Sequence, residues 1–292
     1  MFFTNFFCIF AQKKIRIIMI KRIFHISDVH IHNFHRLEEY SEQLAKLKDM
    51  LIENSKGFEK DEIRIVISGD IAHSKNNISN ELITFVSTWI RELEEIARVI
   101  VISGNHDLLV GNDSRIDTLT AIFTTAGFKN AIHLDSYLGY DSGVIVDDNV
   151  VWALYSIFTN FRRPNIEETR KAYPDNTIIG LYHGTIVGST LNNGTVMDSG
   201  TDGDIFKGCD MVMAGDIHKR QVIKRGDVEI VYPGSLIQQT FGETVTQHGF
   251  VVWDLENKTR EFIDIPTEYG LYDFEIKSPE DIDNDKEIII NY

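Results

Sequence analysis

The first half of the chain alternates between two hydrophobic patterns. Short, mostly apolar runs, typical of buried strands, lie at residues 23–26, 63–67 and 99–102. Between them, apolar residues recur every three or four positions, which predicts amphipathic helices over residues 37–51 and 82–96. Parallel strands joined by helices need right-handed crossovers and helical cover. This half therefore predicts an α/β fold.

After residue 139 the pattern changes to shorter strand-like runs, interrupted by one helical stretch around residues 166–172. We therefore expect a second sheet packed against the first within one domain. The glycine- and asparagine-rich stretch from residue 188 to 203 predicts a long loop, and loops of this length are usually functional or disordered. The runs are 144–146, 150–154, 178–182, 211–214, 229–232, 250–253 and 262–265.

The predicted domain spans residues 20–266. Residues 1–19 begin with the apolar stretch MFFTNFFCIF, which is too short to span a bilayer and precedes its basic residues, unlike an export signal. We interpret residues 1–19 as a dispensable leader with Met19 as the effective start, and we predict no membrane partner. Residues 267–292 are interpreted as the start of a small, incomplete C-terminal domain of the capping type.

Composition limits the partners and the compartment. The chain has 29 basic and 44 acidic residues and a formal charge of −15, so a polyanionic substrate would have to be held by local cations. The two cysteines, Cys8 and Cys209, are too few for a disulfide framework and fit a reducing compartment. We therefore expect the protein in the cytoplasm, or in a nucleus if it is eukaryotic or acts in a host nucleus.

Metal-binding side chains follow five predicted strand ends. The carboxyl ends of strands line one crevice in an open α/β sheet, so we expect these side chains to converge. Carboxylates, imidazoles and an amide, with no thiolate, suit divalent ions. Helix capping or a turn would explain any one segment, but not all five. We expect Gly104 to allow a tight turn. The segments are 27–30, 69–73, 104–107, 183–184 and 215–218.

In the order of these motifs, the chain resembles calcineurin-like metallophosphoesterases. Within that superfamily, His73 and the segment YPGSLIQQTFGE at residues 232–243 are similar to the Mre11/SbcD nuclease branch. The resemblance covers residues 20–265 and implies a two-sheet β-sandwich core flanked by helices, in four αββα layers. The motifs are Asp28-x-His30, Gly69-Asp70-x-x-His73, Gly104-Asn105-His106-Asp107, His183-Gly184 and Gly215-Asp216-x-His218.

The resemblance also implies a role for each residue. His106 would stabilise the transition state or protonate the leaving oxygen, Asp107 would orient the His106 ring, and His73 would contact the substrate backbone. Two divalent ions, Mn²⁺ or alternatively Mg²⁺, would promote in-line displacement at phosphorus. The implied ligands are Asp28, His30, Asp70 and His218 for the first ion, and Asp70, Asn105, His183 and Asp216 for the second.

Asp216 stands where the family usually has a histidine. A carboxylate in place of an imidazole adds negative charge to the second ion site. We expect this change to favour hard ions such as Mn²⁺ or Mg²⁺ over zinc and to weaken Lewis acidity.

These expectations lead to the hypothesis of a metal-dependent DNA exonuclease or endonuclease. It would be the catalytic subunit of a break-processing complex in DNA repair and recombination. The resemblance implies a Rad50/SbcC-like ATPase as partner and allows a homodimer.

Two alternatives stay open. One is a phosphodiesterase or phosphatase for small substrates that uses the same centre. The other is a catalytically weak scaffold, for which Asp216 would mark a degraded site.

Overall fold

Two six-stranded sheets form the centre of the fold. The computed structural model describes residues 19–32, 34–75, 78–108, 116–159 and 162–272. The predicted leader and C-terminal segment lie largely outside these ranges. The described strands are β1 (Arg22–Ile26), β2 (Ile63–Ser68), β3 (Arg98–Ile102), β4 (Ala131–His133), β5 (Gly143–Asp147), β6 (Val150–Tyr155), β7 (Thr177–His183), β8 (Met211–Gly215), β9 (Gln221–Arg225), β10 (Val228–Tyr232), β11 (Gly249–Asp254) and β12 (Thr259–Asp264).

Helices cover the outer faces of the sheets. The side chain of Ser79 caps the second helix by accepting a hydrogen bond from the N–H of Leu82, and both long helices bury the apolar face that the sequence predicts. Within the described ranges, no helix is both long enough and apolar enough to cross a bilayer. The helices are α1 (Leu37–Asn54), α2 (Asn80–Ile96), α3 (Thr118–Ala126), α4 (Leu134–Tyr137) and α5 (Ile166–Ala172), with short 3₁₀ turns at Lys60–Glu62 and Gly203–Phe206.

The first sheet has the order β12-β11-β1-β2-β3-β4, with β1 to β4 parallel and the β11–β12 hairpin antiparallel beside β1. The second has the order β5-β6-β7-β8-β10-β9, in which β6, β7, β8 and β10 are parallel. This architecture confirms the predicted two-sheet α/β fold. The placement of residues 250–253 and 262–265 in the second sheet was wrong, because the apolar pattern marks a strand but not its pairing partner.

The two sheets pack face to face through a dry apolar layer. Trp152 of the second sheet and Trp253 of the first are both buried in it. A salt bridge also joins the two sheets. The Arg64 guanidinium of β2 donates two hydrogen bonds of 2.7 and 2.8 Å to Asp147 at the end of β5. The shared core fixes the relative position of the strand ends. Side chains from both sheets can therefore build one rigid site.

The predicted loop at residues 188–203 has order of its own. Isolated bridges pair Ile186 with Thr201 and Thr190 with Val196, and Gln221 makes hydrogen bonds to both backbone groups of Thr190. The loop therefore packs onto the second sheet beside the end of β7.

Candidate metal centre

Past the carboxyl ends of β1, β2, β3, β7 and β8, histidine and aspartate side chains converge. Among the residues that the structure describes, three overlapping groups each bring their ligand atoms within 4.8 Å of one another. The strand ends thus meet as predicted, although the residues that follow them are spread from Asp28 to His218 along the chain. The groups are Asp28, His30 and His218; Asp28, Asp70 and His183; and His30, His73 and His106.

The backbone is strained where it presents these side chains. Asp28, His30, Asp70 and Asp216 all have positive φ, between 49° and 100°. Such conformations cost about 1–3 kcal/mol each for residues other than glycine and cluster at functional sites. The N–H of His30 still bonds to the oxygen of Asp70, at 2.9 Å. The loops after β1 and β2 are therefore hydrogen-bonded to each other, and their side chains lie in the same ligand groups.

The first group has the spacing of a coordination shell. His30 Nε2 lies 3.0 Å from His218 Nε2, 3.4 Å from Asp70 Oδ2 and 3.9 Å from Asp28 Oδ1. Ligand bonds of about 2.1 Å place neighbouring donor atoms about 3.0–3.4 Å apart. Two imidazole nitrogens at such a distance, beside two carboxylates, fit a shared cation.

The second group contains buried acceptors that face one another. His183 Nδ1 donates to the main-chain oxygen of Ser68 at 2.7 Å, so Nε2 of the neutral ring carries the lone pair, 3.4 Å from Asp70 Oδ2. In the described part of the chain, His183 Nε2 and Asn105 Oδ1 are buried and meet no hydrogen-bond partner. Unpaired buried polar atoms are costly, and a divalent cation would satisfy them. The residues of this group therefore fit a metal ion.

The electrostatics of the centre also favour a cation. Burial raises the pKa of Asp28 to about 6, because the charged carboxylate loses its hydration. Burial acts in the same direction on Asp70, but the charge of the nearby His183 imidazole holds the pKa of Asp70 below its ordinary value. Burial lowers the pKa of His183, and the neighbouring Asp70, Asp28 and Asp216 outweigh it and raise that pKa. A proton on His183 thus offsets negative charge that a metal would otherwise neutralise.

Asp216 lies beside the centre but belongs to none of the three groups. Its N–H donates to Asp28 Oδ1 at 3.0 Å, and its Oδ2 accepts a hydrogen bond from Thr185 Oγ1 at 2.6 Å. The carboxylate is therefore held by a neighbour on the loop after β7. Its predicted role as a ligand of the second ion stays a prediction.

The contacts of His106 and Asp107 differ from the expected ones. His106 Nδ1 bonds at 2.6 Å to the main-chain oxygen of His73, whereas Asp107 accepts N–H groups from Asp70 at 2.8 Å, Ala72 at 3.0 Å and Gly104 at 2.9 Å. The described hydrogen bonds of the buried Asp107 carboxylate come from backbone N–H groups and not from the His106 ring, and its predicted role in orienting that ring stays a prediction. Asp107 clamps the loops after β2 and β3 together.

His73 lies at the edge of the centre, where its ring stacks on His32 with centroids 3.7 Å apart. It is close enough to His106 and His30 to share a group with them. The predicted contact between His73 and a substrate backbone stays a prediction.

Gly104 is required for space and not for its backbone angles. It is not among the residues with positive φ, so the expected tight turn does not depend on that freedom. A Cβ at this position would overlap with the carboxylate and the backbone nitrogen of Asp70. Gly104 thus lets the loops after β2 and β3 approach within backbone contact. The predicted role of Asn105 as a ligand of the second ion stays a prediction.

Sequence reasoning missed Glu243 as a site residue. Its Oε1 lies 2.8 Å from His218 Nδ1, and its side chain is buried. Burial alone would raise the pKa of Glu243, but His218 holds it below its ordinary value. For His218 the directions are reversed. Burial lowers its pKa, but the hydrogen bond to Glu243 outweighs burial and raises the pKa to about 8. The segment YPGSLIQQTFGE ends on this glutamate, and that resemblance was the one available signal.

The comparison with known protein families agrees with this geometry. The sequence model of the calcineurin-like phosphoesterase superfamily domain matches residues 22–258. The chain belongs to this superfamily. Its members are metal-dependent phosphoesterases that bind two divalent ions, and the converging groups described above provide a candidate site for those ions.

The chain is also similar to a curated protein and, weakly, to a solved structure. Uncharacterized protein R555 of Acanthamoeba polyphaga mimivirus is 35% identical over 263 residues, which cover 86% of this chain and 18% of R555. The chain thus spans less than a fifth of that relative. A solved structure of a novel archaeal phosphodiesterase is 16% identical, covers 83% of this chain and 99% of its own, and has a TM-score of 0.40.

Proposed function

We propose that this superfamily member is a Mn²⁺-dependent phosphodiesterase that cleaves DNA. The observation that carries the proposal is the meeting of His30, Asp70 and His183 around positions with the spacing of metal ligands. The specific support for DNA is the resemblance of His73 and YPGSLIQQTFGE to the Mre11/SbcD branch.

The residues of the chain divide the work of phosphodiester hydrolysis. When bound, the ions supply Lewis acidity to the phosphate and lower the pKa of an attacking water. Asp28, His30, Asp70, His183 and His218 would hold the ions, and the hydrogen bonds of Asp107 keep the two ligand loops in register. His106 stands beside the His30 ring, with centroids 4.7 Å apart, and its Nδ1–H is used by the main-chain oxygen of His73. In the imidazolium form, which a general acid requires, its Nε2–H would donate to a phosphate oxygen or to the leaving oxygen.

Hydrolysis of a small phosphodiester is the second candidate. The formal charge of −15 favours it, because a long polyanion is repelled by an acidic surface unless local cations or a partner compensate. A Rad50/SbcC-like ATPase remains our proposed partner for DNA, since it would supply basic surface. A homodimer is also proposed; it would extend the contact with the duplex but would not supply basic surface, because each copy carries the same charge of −15.

Hydrolysis assays on matched substrates distinguish these functions. The purified chain is incubated with Mn²⁺ and either linear DNA, circular DNA or bis(p-nitrophenyl) phosphate. Cleavage of DNA supports the nuclease, and circular DNA separates endonuclease from exonuclease activity. Cleavage of the chromogenic ester alone supports a small-substrate enzyme, and bound Mn²⁺ without any cleavage supports a scaffold. His106→Ala is the inactive control, and His35→Ala, an exposed imidazole outside the three groups, is the matched active control.

A further inference from the structure

The segment 233–243, here named the strap, is bonded to the backbone around the first ligand group. The N–H of Ser235 donates to the oxygen of His218 at 3.1 Å, and the N–H of Leu236 donates to the oxygen of Asp28 at 3.3 Å. The side chain of Gln239 reaches the oxygen of Val29 at 3.2 Å. The strap therefore fixes the backbone of the ligands Asp28 and His218 relative to each other. It also holds Val29, which lies between the ligands Asp28 and His30.

Glu243 ends the strap and connects it to a ligand ring. Its Oε1 accepts the Nδ1–H of His218 at 2.8 Å, and its Oε2 accepts Ser235 Oγ and the N–H of Gln239, both at 3.0 Å. The Glu243 side chain is only 4% exposed. A carboxylate so deeply buried is costly unless it is hydrogen-bonded, and the Nδ1–H of His218 is one of its three donors here.

The hydrogen bond determines which nitrogen of His218 faces the centre. With the proton on Nδ1, the lone pair lies on Nε2, and this atom is 3.0 Å from His30 Nε2 and 4.0 Å from Asp28 Oδ1. A carboxylate behind a ligand imidazole also makes the ring more basic and therefore a better ligand. Ser235 and Gln239 fix the Glu243 carboxylate, so the ring cannot turn without breaking the strap.

We propose that Glu243 is a positioning residue of the metal centre, which fixes the tautomer and orientation of His218 and so strengthens cation binding by Asp28, His30 and His218. The inference rests on the metal centre of the proposed function but not on DNA as the substrate. It also gives the YPGSLIQQTFGE segment a physical role that does not involve substrate contact.

The test measures metal binding directly. Metal-free wild type, Glu243→Gln and Glu256→Gln are titrated with Mn²⁺ by calorimetry, and bound Mn²⁺ is followed by electron paramagnetic resonance. Glutamine keeps the shape of Glu243 but removes its charge, whereas Glu256 is exposed in the β11–β12 turn and serves as the matched control. Loss of such a carboxylate typically weakens metal affinity roughly 10- to 100-fold. We expect Glu243→Gln to bind Mn²⁺ more weakly by this factor at one of the two ion sites. Glu256→Gln should bind Mn²⁺ as tightly as the wild type.

Thermal unfolding of the metal-free proteins separates positioning from a purely structural role. Unchanged Mn²⁺ affinity in Glu243→Gln, with or without a lower unfolding temperature, would overturn the inference. If that variant does not fold, Glu243→Asp replaces it, because the shorter side chain keeps the charge but withdraws it from His218. A wild type that binds no Mn²⁺ would overturn both this inference and the proposed function, whereas normal wild-type binding with an unaffected variant would overturn this inference alone.

Discussion

His106 Nδ1 lies 2.6 Å from the main-chain oxygen of His73, so the ring of the expected acid is oriented by backbone. The N–H of His106 separately donates to Asp70 Oδ1 at 2.7 Å. Both hydrogen bonds join the loop after β3, which donates, to the loop after β2, which accepts. This arrangement leaves His106 Nε2 for the substrate while the His106 backbone supports a ligand.

His106→Ala is expected to lower kcat on a phosphodiester with an alkoxide leaving group, such as linear DNA, about 10²- to 10⁴-fold, as removal of a general acid does. Mn²⁺ affinity should not change, because the backbone N–H that supports Asp70 remains. Steady-state kinetics and calorimetry on the same preparation check both parts. Full activity in the variant would contradict the role of His106.

Gly104→Ala is expected to disrupt the centre by overpacking, because the new Cβ would overlap with Asp70. The clash is with backbone and a ligand carboxylate, so we expect a loss of about 3 kcal/mol in the free energy of unfolding together with weaker Mn²⁺ binding. Urea unfolding and calorimetry measure the two effects. Gly143→Ala is the control, since its Cβ would meet only ordinary contacts with Leu138. Equal stability of the two variants would count against the close approach.

Asp216→His is expected to shift metal preference from Mn²⁺ toward Zn²⁺, because an imidazole replaces a hard, charged oxygen ligand. The variant also loses the Thr185 hydrogen bond, so Thr185→Val serves as the control for that contact alone. Competition titrations with both ions provide the measurement. The same preference and rate in Asp216→His and wild type would exclude Asp216 from the coordination of the second ion.

His25 is expected to make stability depend on pH. Burial lowers the pKa of His25 from 6.5 to about 3, and its Nε2 bonds to Ser68 Oγ at 2.8 Å. Since the folded pKa is the lower one, protonation favours the unfolded chain, and stability is lost as pH falls below 6.5 toward 3. Between about pH 7 and pH 5 the wild type should lose about 2 kcal/mol more than His25→Gln, which keeps a hydrogen-bonding group but does not titrate. Parallel pH dependences in urea unfolding would contradict this assignment.

Asp147→Asn is expected to destabilise the packing of the two sheets. The variant removes one of the two carboxylates beside the buried Arg64 guanidinium, leaving only Asp148 at 3.3 Å, and weakens the acceptor for Trp152 Nε1. Breaking a buried pair in this way costs about 3–5 kcal/mol. Arg98→Gln is the control, because the Arg98 side chain is 41% exposed and should contribute less than about 1 kcal/mol. Chemical unfolding of both variants tests the difference.

The sequence by itself determined the α/β class, ten of the twelve described strands and the ends at which metal-binding side chains appear. Each of these depends on local spacing, which the residue types record directly. The missed strands are β4, with three residues, and β9, a half-exposed edge strand with mixed polarity. Their local patterns are too short or too irregular to identify. The pairing of β11 with β1 depends on long-range packing that no local period encodes.

Only the tertiary structure decided which atoms face one another inside the centre. Asp107 lies next to His106 in sequence but clamps the backbone, whereas His73, 33 residues away, orients the ring. Glu243 likewise reaches His218 across 25 residues. The sequence records which functional groups are present and which strand they follow. Hydrogen-bond partners and tautomers depend on side-chain directions and loop approach, and these are fixed only when the two sheets pack.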